Sequence, residues 1–305
     1  MNMNQVLKAM LILACFFVFV TPVLADSGLP DVINPEPDNE LGPFDDAYVS
    51  PGPGFNVATL QVGSGVKVDE VTIPYPLGAS RFLAMCPINH YVTYGEADVA
   101  WHCTWEFDSN WNQATFTLWT NYDDGDVTGV TATAVLISLD DFYLVDGVDF
   151  TVYNDSTKNY QLDYMDGDVF IASVDTYETN ADDDFSFAIY PDESTNAFDY
   201  SVSAWNGNDG SYIHGQIQVL RPVYANAQGY IDSVNLANNK SATRHHDITP
   251  YGRTAYFNSV YKYITNDDDD FQFFSWVDAE GTFFVETERG NSGSSVAIES
   301  IVLKR

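Results

Sequence analysis

A chain of 305 residues with 44 acidic and 12 basic side chains carries a formal net charge of −32, which repels nucleic-acid phosphates and anionic lipid surfaces and argues against both as partners. Hydrophobic residues make up 45% of the chain, too many for a purely solvating, disordered polymer. The charge itself points to a solvated acidic surface, a saline setting or affinity for divalent cations, and says nothing of fold.

Residues Met1 to Ala25 contain one charged side chain, Lys8, followed by an apolar run from Met10 to Val20 and then Val23-Leu24-Ala25 ahead of Asp26. This is the pattern of a cleaved secretory signal peptide, too short and wrongly flanked for a membrane anchor. A lipoprotein-type cleavage at Cys15 is the rival, but it would leave the apolar stretch from Phe16 to Leu24 on the mature chain. Cleavage after Ala25 removes Lys8 and no acid, so the remainder has 11 basic and 44 acidic residues, a charge of −33. No later stretch approaches the roughly 18 consecutive apolar residues of a membrane helix. The expected product is secreted, periplasmic or on the cell surface.

Residues 26–55 hold Pro35-Glu36-Pro37-Asp38 and Pro51-Gly52-Pro53-Gly54 with little apolar periodicity. Such a segment buries too little apolar surface to order itself, and it is read as an acidic arm or linker.

From Asn56 onward, short runs of β-branched and aromatic residues alternate with polar ones, as in Thr115 to Trp119, Phe185 to Ile189, Tyr200 to Trp205 and Thr282 to Glu286. Period two with those residue types predicts half-buried antiparallel strands. The breakers Asp123-Asp124-Gly125, Asn208-Asp209-Gly210 and Ala279-Glu280-Gly281 are turn chemistry, because Gly and Asn reach positive φ cheaply. No amphipathic helical window stands out.

The strands recur as a set. Thr179-Asn180-Ala181-Asp182-Asp183-Asp184-Phe185 returns 86 positions later as Thr265-Asn266-Asp267-Asp268-Asp269-Asp270-Phe271, and at the same offset Tyr177 falls on Tyr263 and Val174 on Val260. A weaker third copy is marked by Val135-Leu136, Val219-Leu220 and Val302-Leu303, spaced by 84 and then 83 residues. A period of this length is a domain rather than a solenoid rung. The predicted fold is all-β: three tandem antiparallel β-sandwich units, 56–138, 139–223 and 224–305, each immunoglobulin-like in size with room for about seven strands. Two alternatives stay open, namely one merged sheet assembly, or a different fold for the first unit.

Four groups of residues are candidates for chemistry. With Cys15 removed, Cys86 and Cys103 are the only cysteines, and in an oxidising compartment a lone pair predicts one disulfide in the first unit, between neighbouring strands. Zinc would need more ligands than the nearby His90 and His102 supply. The aspartates 182 to 184 and 267 to 270 place hard oxygen ligands on turns at matching positions, which suits calcium; the competing reading is a solvated acidic turn. Trp101, Trp105 and Trp111, near Glu106, Asp108, Asn110 and Asn112, have the composition of a sugar-stacking face. Alternate tryptophans on a strand are more often core, and Trp101, Cys103 and Trp105 share one strand face. Catalysis has the weakest signal: carboxylates are too abundant for any pair to be informative, His245-His246-Asp247 is the only local histidine cluster, and no nucleophile motif surrounds a serine.

The function these readings favour is an exported, non-enzymatic tandem β protein, a surface, matrix or envelope component whose partners are divalent cations, glycans or other surface proteins. The alternative is a secreted carbohydrate-binding or carbohydrate-active protein.

Overall fold

Alternating apolar and polar positions become pleated strands with one face turned to a core. In the computed structural model, residues 52–63, 66–92, 99–110, 112–122, 129–179, 185–191, 199–223, 228–246, 253–266, 271–278, 281–290 and 292–305 are described. They form strands and connections, with no helix among them. The first segment gives β1 (Phe55–Val62), β2 (Val68–Pro74), β3 (Phe82–Met85), β4 (Ile88–Val92), β5 (Val99–Asp108), β6 (Gln113–Tyr122) and β7 (Gly129–Ser138). The second gives β8 (Phe142–Tyr153), β9 (Ser156–Gln161), β10 (Val169–Glu178), β11 (Ser186–Pro191), β12 (Asp199–Trp205) and β13 (Tyr212–Pro222). The third gives β14 (Gln228–Ala237), β15 (Ser241–His245), β16 (Thr254–Ile264), β17 (Gln272–Val277), β18 (Thr282–Glu288) and β19 (Ser295–Lys304). Phe55, placed in the arm by its proline-rich neighbours, is instead the first residue of β1. It is buried against Phe142 at 6.4 Å, with the Arg253 guanidinium over its ring.

The strands pair antiparallel in three sheets, ordered β1-β7-β4-β17-β18-β15 with β3 also on β7, β2-β6-β5-β10-β13-β8, and β14-β19-β16-β11-β12-β9. No sheet belongs to one segment. With β3, which only the first segment has, left out of the count, each takes the first, last and third strands of one segment and joins them to the fourth, fifth and second strands of another. The junctions are β10 with β5, β16 with β11 and β4 with β17, so the exchange runs from segment to segment and returns to its start. The sequence reading of three units did not include this sharing of sheets between segments. Alternation within a strand fixes which face is buried but carries no information about which edge a strand pairs with. The first segment, whose copy of the repeat is the most degraded, takes the same strand order as the other two.

The repeat is sharpest in β4, β10 and β16. Each carries a one-residue bulge at the same repeat position, Asn89, Asp175 and Tyr261, where the register shifts against the last strand of its own segment. Two residues further on stand Tyr91, Tyr177 and Tyr263, again 86 apart, and each lies opposite an aromatic residue across a junction: Tyr91 with Phe273, Tyr177 with Trp101, and Tyr263 with Phe187. A bulge re-aims the residues that follow it, and its recurrence brings these rings into one cluster.

Burial follows the layering. β7 is buried along its whole length, whereas β1 and β18 alternate. β1 lies against β2 and β6, β8 against β9 and β12, and β14 against β15 and β18. One core cluster runs through all three segments, and a second gathers Met85, Ile171 and Phe257, again at intervals of 86, with Val135, Leu220 and Ile301. Gly210 and Gly281, in two of the turns anticipated from the sequence, have φ of 106° and 81°, a region where a side chain would be strained.

Candidate functional site

Cys86 and Cys103 form a buried disulfide with Cα atoms 6.1 Å apart. The bridge does not join neighbouring strands. Cys86 lies between β3 and β4 in the seven-stranded sheet and Cys103 on β5 of another, so it ties two sheets together.

Of the three tryptophans considered as a ligand face, Trp101 is 0% exposed and stacks on Tyr177 with centroids 4.3 Å apart and planes at 11°. A ring so enclosed offers no face to a ligand. Trp105 is half-buried beside Phe116, with centroids 5.9 Å apart, and Trp111 lies outside the described residues, as do the aspartates 182 to 184 and 267 to 270. What is described is how their loops are anchored. The Tyr177 hydroxyl donates to the Phe185 carbonyl at 2.8 Å, and Tyr263 donates to the Phe271 carbonyl at 2.9 Å, so in both repeats the same bond spans the acidic run. Phe185 and Phe271 are buried. Tyr91, Tyr177 and Tyr263 touch one another, with centroid distances of 6.5, 5.7 and 6.1 Å. β4, β10 and β16 therefore bring one side chain each to a common contact.

A group of titratable side chains that the sequence reading did not assemble lies on the sheet containing β5, β10 and β13. His102 and His214 flank Thr176 in register, about 5 Å per strand spacing on either side. Asp175, in the bulge, is buried and its Oδ1 lies 2.8 Å from His214 Nδ1. The Glu178 Oε2 stands 3.5 Å from His102 Nε2. Burial pushes the Asp175 carboxyl above its usual value, with the His214 contact opposing. The Asp175 hydrogen bond raises His214, while burial lowers His102 against the pull of Glu178. Tyr212, desolvated and beside Glu178, is pushed up to about 12. Chemically this is an oriented imidazole whose Nδ1 is fixed by a carboxylate, leaving Nε2 to exchange a proton. The signal that could have found it is the offset of 86 itself, because Asp175 falls on the bulge position.

The adjacent histidines in the third segment separate. His246 is buried with Nε2 2.8 Å from the Ser300 hydroxyl, while His245 is exposed beside Thr282. Among the described residues no three His, Cys, Asp or Glu side chains are grouped to hold a metal.

No family model matches this chain, and no curated protein matches it. Its properties are argued from its own residues.

His90, desolvated and edge-on to Phe274 at 4.4 Å, is lowered to about 3, which keeps it neutral at ordinary pH. Arg221 meets Asp168 through two hydrogen bonds, of 2.7 and 2.8 Å. Its planar fork matches the carboxylate, and this pair pins the turn before β10 to β13.

Proposed function

We propose that this chain is an exported, non-enzymatic β protein acting as a surface, matrix or envelope binding component, with Met1 to Ala25 removed as a signal peptide and calcium held by the acidic loops. The observation that carries the reading is the mutual contact of Tyr91, Tyr177 and Tyr263. The connections leaving them contain Glu96 and Asp98, Asp182 to Asp184, and Asp267 to Asp270. Runs of carboxylates this dense in the sequence repel one another, which disfavours the compact state, and a cation that takes six to eight oxygen ligands in flexible geometry relieves that repulsion. The buried disulfide fits an oxidising compartment. No helix of the described residues is long and apolar enough to cross a membrane. We read the segments 56–138, 139–223 and 224–305 as three sandwich units, supported by the packing of β1 on β2 and β6 and its counterparts, with each sheet continued by a neighbouring segment.

Calcium that binds only the folded chain raises stability by RT ln(1 + [L]/Kd), about 2.7 kcal/mol at a hundredfold excess over Kd. The test is thermal melting in millimolar calcium, in chelator, and in sodium chloride of matched ionic strength, since screening alone stabilises so acidic a chain. Calcium should exceed the salt control, and the double variant Asp183→Asn, Asp269→Asn should lose that excess. Equal shifts from salt and calcium refute the reading.

A further inference from the structure

The half-sheet β17-β18-β15 turns one face to its segment's core and the other outward. Phe273, Phe283 and Val285 are buried on the inner side. On the outer side the register sets Phe274, Glu286 and Ser241 in one row and Trp276, Phe284 and Thr243 in the next. Trp276 and Phe284 lie parallel, with planes at 8° and centroids 5.1 Å apart. Such a contact holds the indole in one orientation, and Trp276 is nevertheless 38% exposed. An oriented, accessible indole on a rigid sheet is an unusual expense in a chain that buries Trp101 completely.

Beside this face opens a cleft of about 340 Å³, lined by Asn239, Lys240, Ser241, Glu286, Glu288 and Arg289 among others. Ser241 and Glu286 belong to both the cleft and the aromatic face. The volume lies at the lower end of the range of small-molecule sites, roughly 300–1,000 Å³. An apolar peptide would find no apolar lining there, and three rings are too small a patch for a stable protein interface, which needs about 800 Å² from each partner.

We propose that Trp276, Phe284 and the adjoining cleft form a binding site for a neutral hexopyranoside chain. A pyranose ring presents an axial C–H face that packs on an indole, and hydroxyls around its rim that pair with planar groups offering adjacent donors or acceptors. Glu286 and Glu288 accept from vicinal hydroxyls, and Lys240, Asn239 and Arg289 donate to ring and hydroxyl oxygens. The cleft balances two acids with two bases, but the chain as a whole, at −32, repels uronates and sulfated glycans. Neutral sugars are the class that remains. This site is distinct from Trp101 and Trp105, and it does not depend on the acidic loops.

The test uses the disulfide-bonded protein in chelator, titrated calorimetrically with cellohexaose, laminarihexaose, maltohexaose, mannohexaose and chitohexaose. At least one should bind at a single site per chain. Trp276→Ala should weaken that binding about tenfold or more, as loss of a central aromatic anchor does, and Glu286→Gln should weaken it as well. Both variants should keep the wild-type circular dichroism and a cooperative melting transition well above the assay temperature, so that lost binding is read apart from lost structure. The proposal is overturned if none of the five oligosaccharides binds, or if Trp276→Ala binds like wild type. It is also overturned if Trp276→Ala only converts a self-associating protein to monomer, since the face would then be an interface between copies of the chain.

Discussion

Replacing Trp101 discriminates between a core ring and a ligand ring, and the repeat supplies its own control. Trp101 falls on Phe187 and Phe273 at successive offsets of 86, and all three are buried against the tyrosine cluster. Trp101→Ala removes a fully buried side chain stacked on Tyr177, for which the loss of burial plus the residual cavity costs about 3–5 kcal/mol. Trp101→Phe installs the residue the other two repeats already use. It forfeits the smaller part of the indole, about 1–2 kcal/mol of burial, and it also removes an indole N–H that has no acceptor among the described residues. Relieving a buried unpaired donor returns about 1–3 kcal/mol, so the phenylalanine variant should fall within about 1 kcal/mol of wild type. Urea unfolding, followed by midpoint and slope with the disulfide intact, measures both. Equal destabilisation by Ala and Phe would refute the equivalence of the three positions. An alanine variant within about 1 kcal/mol of wild type would refute the core assignment and return Trp101 to the surface.

The Glu299 residue is partly accessible, but its Oε2 is buried without a hydrogen-bond partner, and desolvation pushes the carboxyl up to about 8 from an ordinary 4.5. The folded value being the higher, this group's contribution is fully present below about pH 4.5 and is lost as pH rises toward 8. Urea midpoints at pH 4.5, 6 and 8 should therefore show Glu299→Gln gaining on wild type across that interval, and parallel profiles would count against it. Reducing the Cys86–Cys103 bridge, which spans a sequence separation of 17, should cost about 3 kcal/mol on the chain-entropy estimate. Melting with and without reductant reads this directly, and an unchanged transition would mean the bridge contributes nothing.

The strand content was legible because the fold is built from period-two alternation, and the disulfide was legible because two cysteines beyond the expected signal peptide allow one pairing. The repeat was legible where acids and aromatics coincide, at Tyr177 and Tyr263, yet Tyr91 stands at the same offset and its neighbours Thr93-Tyr94-Gly95 hid it. Trp101 was legible as core from its place on the same strand face as Cys103 and Trp105, but its equivalence to Phe187 and Phe273 was hidden because the residue type changes from Phe to Trp between repeats while the environment does not. The pairing of β4 with β17 had no sequence signal, since partners such as Tyr91 and Phe273 are 182 positions apart and edge pairing is carried by backbone groups that every residue has. Trp276 gave no warning because a single exposed indole is unremarkable until its cross-strand neighbour is known.

The junctions between segments are short: Tyr91–Phe273 and His90–Phe274 at one, Tyr263–Phe187 and Lys262–Ala188 at another, and three pairs from Thr176–His102 to Glu178–Ala100 at the third. Two of them join segments adjacent in the chain, but β4 and β17 belong to the first and last. That seam is a clasp. Parting it leaves two complementary edges at opposite ends of one polypeptide, and each is the natural mate of the other edge on a second molecule. A clasp that can fasten to itself or to a neighbour defines a head-to-tail contact that does not close, the geometry of a fibre, and the aromatic pair Tyr91–Phe273 is the catch on that clasp.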